Sequence, residues 1–137
     1  MSTHLIIPHP IFTSMIEHGE TQLPYESCGL LAGSGNKVLS IWTLENELKS
    51  SSRFFVHKNV VADTLQQIHK CKEHVLAIYH SHPSTAPIPS SYDVYHHTDE
   101  SVKMVIVSLK SQEPQVKCFD IKQDTYTECT ISIDPIY

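Results

Sequence analysis

The tract His80-Ser81-His82-Pro83, with Ser90 and Asp93 shortly downstream, constrains this chain more than any other stretch. It follows an apolar run, Val75-Leu76-Ala77-Ile78-Tyr79, that reads as a strand. Side chains alternate between the faces of a strand, so His80 and His82 project from one face at its end. A loop stiffened by Pro87 and Pro89 then brings Asp93 round. Two imidazoles and a carboxylate make three ligands for a divalent metal. A catalytic zinc site takes three ligands from the protein and keeps a fourth position for water. An H-x-H pair alone is weak ground for a metal, and Ser90-x-x-Asp93 also reads as a helix N-terminus, with the serine as cap and the acid at the third position. The two readings are compatible, because a cap fixes the first turn and with it the direction of Asp93. The combination favours an open, reactive site.

Written out, H-S-H-P-x(6)-S-x-x-D resembles the signature of the JAB/MPN (JAMM) metallopeptidase family, H-[ST]-H-P-x(6)-S-x-x-D. That signature is paired with an upstream glutamate in a segment E-x-C-G-[LI]-L. Here Tyr25-Glu26-Ser27-Cys28-Gly29-Leu30-Leu31 matches it. All five functional positions are filled, by Glu26, His80, His82, Ser90 and Asp93. Scaffolding members of the family have lost one or more of them, so the active branch is implied. The resemblance runs from about residue 5 to about residue 130.

It implies zinc on His80, His82 and Asp93, although manganese or iron stays open on ligand type. Zinc lowers the pKa of a bound water from about 15.7 to about 7. Glu26 is implied as the general base, a role that a carboxylate of ordinary pKa can fill because the water is already acidic; such help adds roughly 10²–10⁴-fold. Ser90 is implied as a donor to the developing oxyanion, worth about 3 kcal/mol. It need not be a nucleophile, since the histidines are spent on metal. Ser81 points to the opposite face of its strand. A rival arrangement pairs Asp93 with His97, four apart on one helix face, with His96 beside them; it leaves His80 and His82 unexplained.

At 137 residues the chain reads as one domain, residues 1–137, with a single core. A hydrophobic fraction of 40% and a charged fraction of 18% are ordinary for a globular protein. The net charge of −5 and the lack of a basic run argue against nucleic acid as a partner. No stretch approaches the ~18 apolar residues of a membrane span. The four cysteines, Cys28, Cys71, Cys118 and Cys129, form no C-x-x-C pair, and the N-terminus does not read as a signal peptide. Reduced thiols in a cytoplasmic protein are expected, with Cys28 packed rather than ligating. Of the ten histidines, His4, His9, His18, His57, His69 and His74 share no ligand spacing.

Periodicity predicts strands at 5–7, 28–32, 37–44, 53–56, 75–80, 103–109, 116–121 and 125–133. It predicts helices at 10–21, 59–72 and 90–99, the second with Val60, Val61, Thr64, Leu65, Ile68 and Cys71 on one face. Gly33-Ser34-Gly35-Asn36 marks a hairpin turn. The order predicts an α/β fold, a single mixed sheet flanked by helices on both sides. The resemblance implies a deaminase-like α-β-α architecture.

The function implied is hydrolysis of an amide or isopeptide bond at the C-terminal tail of a ubiquitin-like or sulfur-carrier protein. The extended tail is expected to pair along a strand edge. The chain is near the minimal family length, which points to the compact standalone type. Two other readings stay open. A RadC-like DNA-associated protein shares a similar H-x-H-P-S run but carries an additional DNA-binding region. A non-catalytic MPN-type docking module is the other.

Overall fold

Alternating side chains on the middle strands divide the apolar interior in two, and the helices divide with it. The computed structural model describes residues 4–135. Its elements run β1 (His4–Pro8), α1 (His9–Gln22), β2 (Cys28–Ser34), β3 (Lys37–Leu44), α2 (Lys58–Lys70), β4 (His74–His82), α3 (Ser91–His96), β5 (Lys103–Ser108), β6 (Gln115–Lys122) and β7 (Thr125–Asp134). On one face, Leu31, Ala77, Tyr79, Val105 and Val107 pack with Leu5, Ile7 and Met15, and Ile11, Phe12 and Ile16 of α1 close over them. On the other, Leu30, Ala32 and Ile78 meet Ile68 of α2, while Met104 and Ile106 meet Val94 of α3. Each fully buried side chain of this kind contributes roughly 1.5–3 kcal/mol relative to its exposed state.

Local chemistry explains the element ends. Pro10 sits in the first turn of α1, where its missing N–H leaves no bond unmade. In α2 the Asn59 N–H donates to His57 Nδ1 at 3.1 Å, and His69 and Lys70 face the negative end of the helix dipole. The β2–β3 turn places Gly35 at φ +62°, the left-handed region that suits glycine. Gly29 has a packing reason instead: a Cβ there would lie 2.4 Å from the Tyr79 ring.

The mixed sheet goes further than expected, closing into a barrel in the order β1-β3-β2-β4-β5-β6-β7. Closure comes from parallel pairing of β1 with β7, from His4 opposite Thr130 to Pro8 opposite Asp134. The β1–β3 seam is a single pair, Ile6 with Lys37. Helices do cover both faces, so the α/β description holds, but they are few and the open α-β-α layering is corrected to a closed sheet. β1 runs one residue further than predicted at each end, taking in His4 and Pro8. β4 extends through His82, because β5 pairs with it as far as Ser108. The predicted strand at 53–56 is not a strand: the Phe55 N–H goes to the side chain of Asn46 at 3.2 Å, so no neighbouring strand is engaged. α3 stops at His96, and His97 instead donates from Nε2 to the Val102 carbonyl at 2.6 Å. On α2 only Thr64 and Ile68 are buried, whereas Val60, Leu65 and Cys71 are exposed.

Candidate metal centre

Two elements converge on one point. β4 supplies His80 and His82 from the face that also carries Ile78, and α3 supplies Asp93. His80 Nε2 lies 3.2 Å from His82 Nε2 and 3.2 Å from Asp93 Oδ2. His82 Nε2 lies 3.1 Å from the same oxygen. The three ligand atoms therefore make a nearly equilateral triangle, and all three residues are buried. Tetrahedral zinc with bonds of roughly 2.0–2.1 Å sets its ligand atoms about 3.3 Å apart, so the triangle fits such an ion closely.

Tautomer and cap chemistry orient the set. His82 Nδ1 lies 2.8 Å from the Ala86 carbonyl; a carbonyl only accepts, so Nδ1 carries the proton and neutral His82 presents a bare lone pair at Nε2. That lone pair faces a carboxylate oxygen, a repulsive arrangement unless a proton or a cation lies between them. The His80 ring is stacked on Phe54, with centroids 5.1 Å apart.

Asp93 is fixed by a reciprocal cap: its N–H donates to Ser90 Oγ at 3.0 Å, and its Oδ2 accepts from the Ser90 N–H at 3.0 Å. The capping box and the candidate metal ligand anticipated from Ser90-x-x-Asp93 are thus one structure. Burial works to raise Asp93, but hydrogen bonds from His80 and His82 outweigh it and hold the carboxyl well below the usual range. Burial lowers His80 despite its bond to Asp93. Burial also works against a charged His82, but the hydrogen bonds to Asp93 and Ala86 prevail and raise it.

Glu26 sits just before β2, on the same side as this set, and is only 3% exposed. Its Oε1 is buried and has no hydrogen-bond partner among the described residues. Burial first, then the negative charge of Asp93, push its carboxyl up to about 8, against a smaller downward pull from His82. Its pKa is therefore not the ordinary one expected from sequence. An unpartnered carboxyl oxygen beside three convergent ligands is what a site built around a cation and its water requires, so the residues present fit zinc.

Other candidates fall outside this set. His97 Nε2 is spent on the Val102 carbonyl, and among the described residues the group within ligand distance is His80, His82 and Asp93, without the His97 of the rival arrangement. Ser81 lies on the α1 face, where its Oγ accepts from the Ser27 N–H at 2.8 Å. Cys28 is buried beside His80 in the β2–β4 register, and burial pushes its thiol up to about 12. A cavity of 460 Å³ opens next to the triad, lined by Leu44, Phe54, Phe55, Val56 and Tyr92 together with His80 and Asp93. Sequence reasoning missed Asn46, which organises this wall; an isolated asparagine in a polar loop carries no periodic signal.

Fold and ligand set together define a JAB/MPN domain with a complete candidate triad. The chain belongs to the family described as prokaryotic homologs of the JAB domain, which it matches over residues 8–122. It is 30% identical over 90 residues to the desampylase of Pyrococcus furiosus, a match covering 66% of this chain and 64% of that protein. It is 24% identical over 132 residues to the CysO-cysteine peptidase of Mycobacterium tuberculosis, covering 94% of this chain and 90% of the relative. A solved protein of Desulfitobacterium hafniense superposes with TM-score 0.87 at 29% identity, covering 96% of this chain and 94% of its own. A structure described as JAMM, a metalloprotease-like zinc site in the proteasome and signalosome, superposes with TM-score 0.59 at 19% identity over 93% of this chain and 97% of its own, and shows the shared fold.

Proposed function

We propose that this protein is a zinc-dependent hydrolase that cleaves an amide or isopeptide bond at the C-terminal tail of a ubiquitin-like or sulfur-carrier protein. The observation that carries the proposal is the buried triangle of His80, His82 and Asp93 with an unpartnered Glu26 Oε1 beside it. The names of the desampylase and of the CysO-cysteine peptidase support the substrate class. His80, His82 and Asp93 would hold the zinc, which would supply Lewis-acid activation of water and of the scissile carbonyl.

The chain's own residues supply the rest. Glu26 takes a proton at Oε1 and passes it to the departing amine. Its elevated pKa means that the metal-free protein holds this carboxyl protonated near neutrality, and the positive charge of a cation in the triad draws it back toward the carboxylate. Ser90 uses an Oγ lone pair for the helix cap, so its hydroxyl hydrogen stays free to donate toward an oxyanion.

The incoming tail is held by the 53–56 segment. Phe55 turns its N–H to Asn46 and its carbonyl to the Glu47 N–H. Alternation therefore turns the Phe54 and Val56 backbone groups the other way, free to pair with an added strand. The whole activity resides in one domain, and a cytoplasmic location accords with four free thiols.

The test is a panel of ubiquitin-like proteins extended beyond their Gly-Gly ends, incubated with zinc-loaded enzyme. Cleavage after the second glycine is expected, with loss on chelation and in Glu26→Gln while circular dichroism stays unchanged. Full cleavage by Glu26→Gln, or by metal-free enzyme, would overturn the proposal.

A further inference from the structure

Asn46 is only 5% exposed, and its side chain makes four hydrogen bonds. Its Nδ2 donates to the Glu26 carbonyl at 3.0 Å and to the Arg53 carbonyl at 2.9 Å. Its Oδ1 accepts from the Leu48 N–H at 3.1 Å and the Phe55 N–H at 3.2 Å. Carbonyls only accept and N–H groups only donate, so the amide can take one orientation, and its capacity of two donors and two lone pairs is filled. The two ends of this amide do different jobs. Nδ2 ties the Glu26 backbone to the 46–56 segment, and a further bond, from the Glu26 N–H to the Ser50 carbonyl at 2.8 Å, closes the connection. Oδ1 takes the place of a partner strand for Phe55 and so holds the segment extended.

That segment touches every element of the site. Phe54 stacks on His80. The Arg53 guanidinium lies 4.4 Å from the centre of the Tyr92 ring, the residue preceding Asp93. Phe54, Phe55 and Val56 wall the cavity that opens on the triad.

We infer that Asn46 is a positioning residue that couples two functions: through Nδ2 it holds Glu26 in register with the metal centre, and through Oδ1 it holds the 53–56 backbone in the form that receives substrate. The inference rests on the hydrolase reading above. Asn46 acts through Glu26 and Phe55 and need not touch the reacting atoms. A displacement of about 1 Å in a reacting group can cost about 10²-fold in rate, so a polar loop residue in this position governs turnover.

Two variants separate the roles. Asn46→Asp keeps both acceptor bonds and loses both donors; Asn46→Ala loses all four. With a ubiquitin-like protein extended past Gly-Gly as probe, kcat falls roughly 10–100-fold in both variants, and KM rises further in Asn46→Ala than in Asn46→Asp, which loses the Arg53 tie of the segment but keeps the Phe55 one. Amide hydrogen exchange gives a readout independent of catalysis. The Glu26 N–H exchanges at least about tenfold faster in both variants, whereas the Leu48 and Phe55 N–H groups accelerate only in Asn46→Ala. Zinc content stays at the wild-type level in both.

The inference is overturned if Asn46→Asp retains wild-type kcat or a protected Glu26 amide. It is also overturned if KM moves alike in the two variants, or if kcat falls only in step with lost zinc. Absence of cleavage by zinc-loaded wild-type protein would instead sink the hydrolase reading, and the exchange pattern would still decide whether Asn46 holds Glu26.

Discussion

The two faces of β4 are made from neighbouring residues and could hardly differ more. Ala77, Tyr79 and Ser81 look toward α1 into a packed interior in which Tyr79 is fully buried. Its hydroxyl is satisfied by His18 Nδ1 at 2.7 Å. Ser81 is likewise spent, on the Ser27 N–H. Ile78, His80 and His82 look the opposite way, where two imidazoles and a carboxylate crowd within 3.2 Å and a neighbouring carboxyl oxygen has no partner. One face is nearly finished as it stands, with Ser27 Oγ beside it left unpartnered among the described residues; the other is unfinished, a set of groups that a cation would complete. Buried polar groups are normally satisfied, and the contrast on a single strand marks where structure ends and chemistry begins.

The largest effect expected is on the unfinished face. Asp93→Ala should reduce bound zinc from one equivalent to a trace, and hydrolysis with it, while circular dichroism shows the fold retained; a full equivalent of zinc on this variant would erase the contrast. On the finished face the reverse is expected. Tyr79→Ala should destabilise the protein by about 3–5 kcal/mol in urea titration, yet the folded fraction should still bind zinc. Gly29→Ala, which drives a Cβ into the same ring, should cost about 1–3 kcal/mol and sharpens the same point.

A pH experiment on metal-free protein reads the unfinished face directly. The unfolded Glu26 carboxyl releases its proton near 4.5, whereas the folded one keeps it to about 8. The folded state therefore binds more protons between these values, and its stability falls as pH rises through that window, by up to about 1.4 kcal/mol per unit. Glu26→Gln should remove this component of the slope, and zinc should diminish it; identical slopes for the two metal-free proteins would show that Glu26 is not buried as described. The smallest change is Tyr79→Phe, which loses the bond to His18 and should cost about 1 kcal/mol, with zinc affinity unaltered.

Much of this could be read before any coordinates. The period-two rule placed His80 and His82 together and Ser81 opposite them, because strand alternation is a local property of the backbone. Ser90-x-x-Asp93 announced its cap for the same reason. The 53–56 run misled: Arg-Phe-Phe-Val has strand composition, but whether it pairs depends on a neighbour, and here the neighbour is the Asn46 side chain. The α2 face was likewise over-read, since Val60 and Leu65 have helical spacing but remain exposed.

The sequence alone determined the candidate ligand types, their shared face and the family pattern, because these follow from residue identity and spacing over a few positions. The tertiary structure decided the rest. Closure of the sheet depends on β1 meeting β7 across nearly the whole chain. The elevated pKa of Glu26 depends on burial and on Asp93, sixty-seven positions away in sequence. The hold of Asn46 on Glu26 spans 20 residues. Electrostatic and hydrogen-bond energies depend on distance through space and on exclusion of water, and neither can be read from distance along the chain.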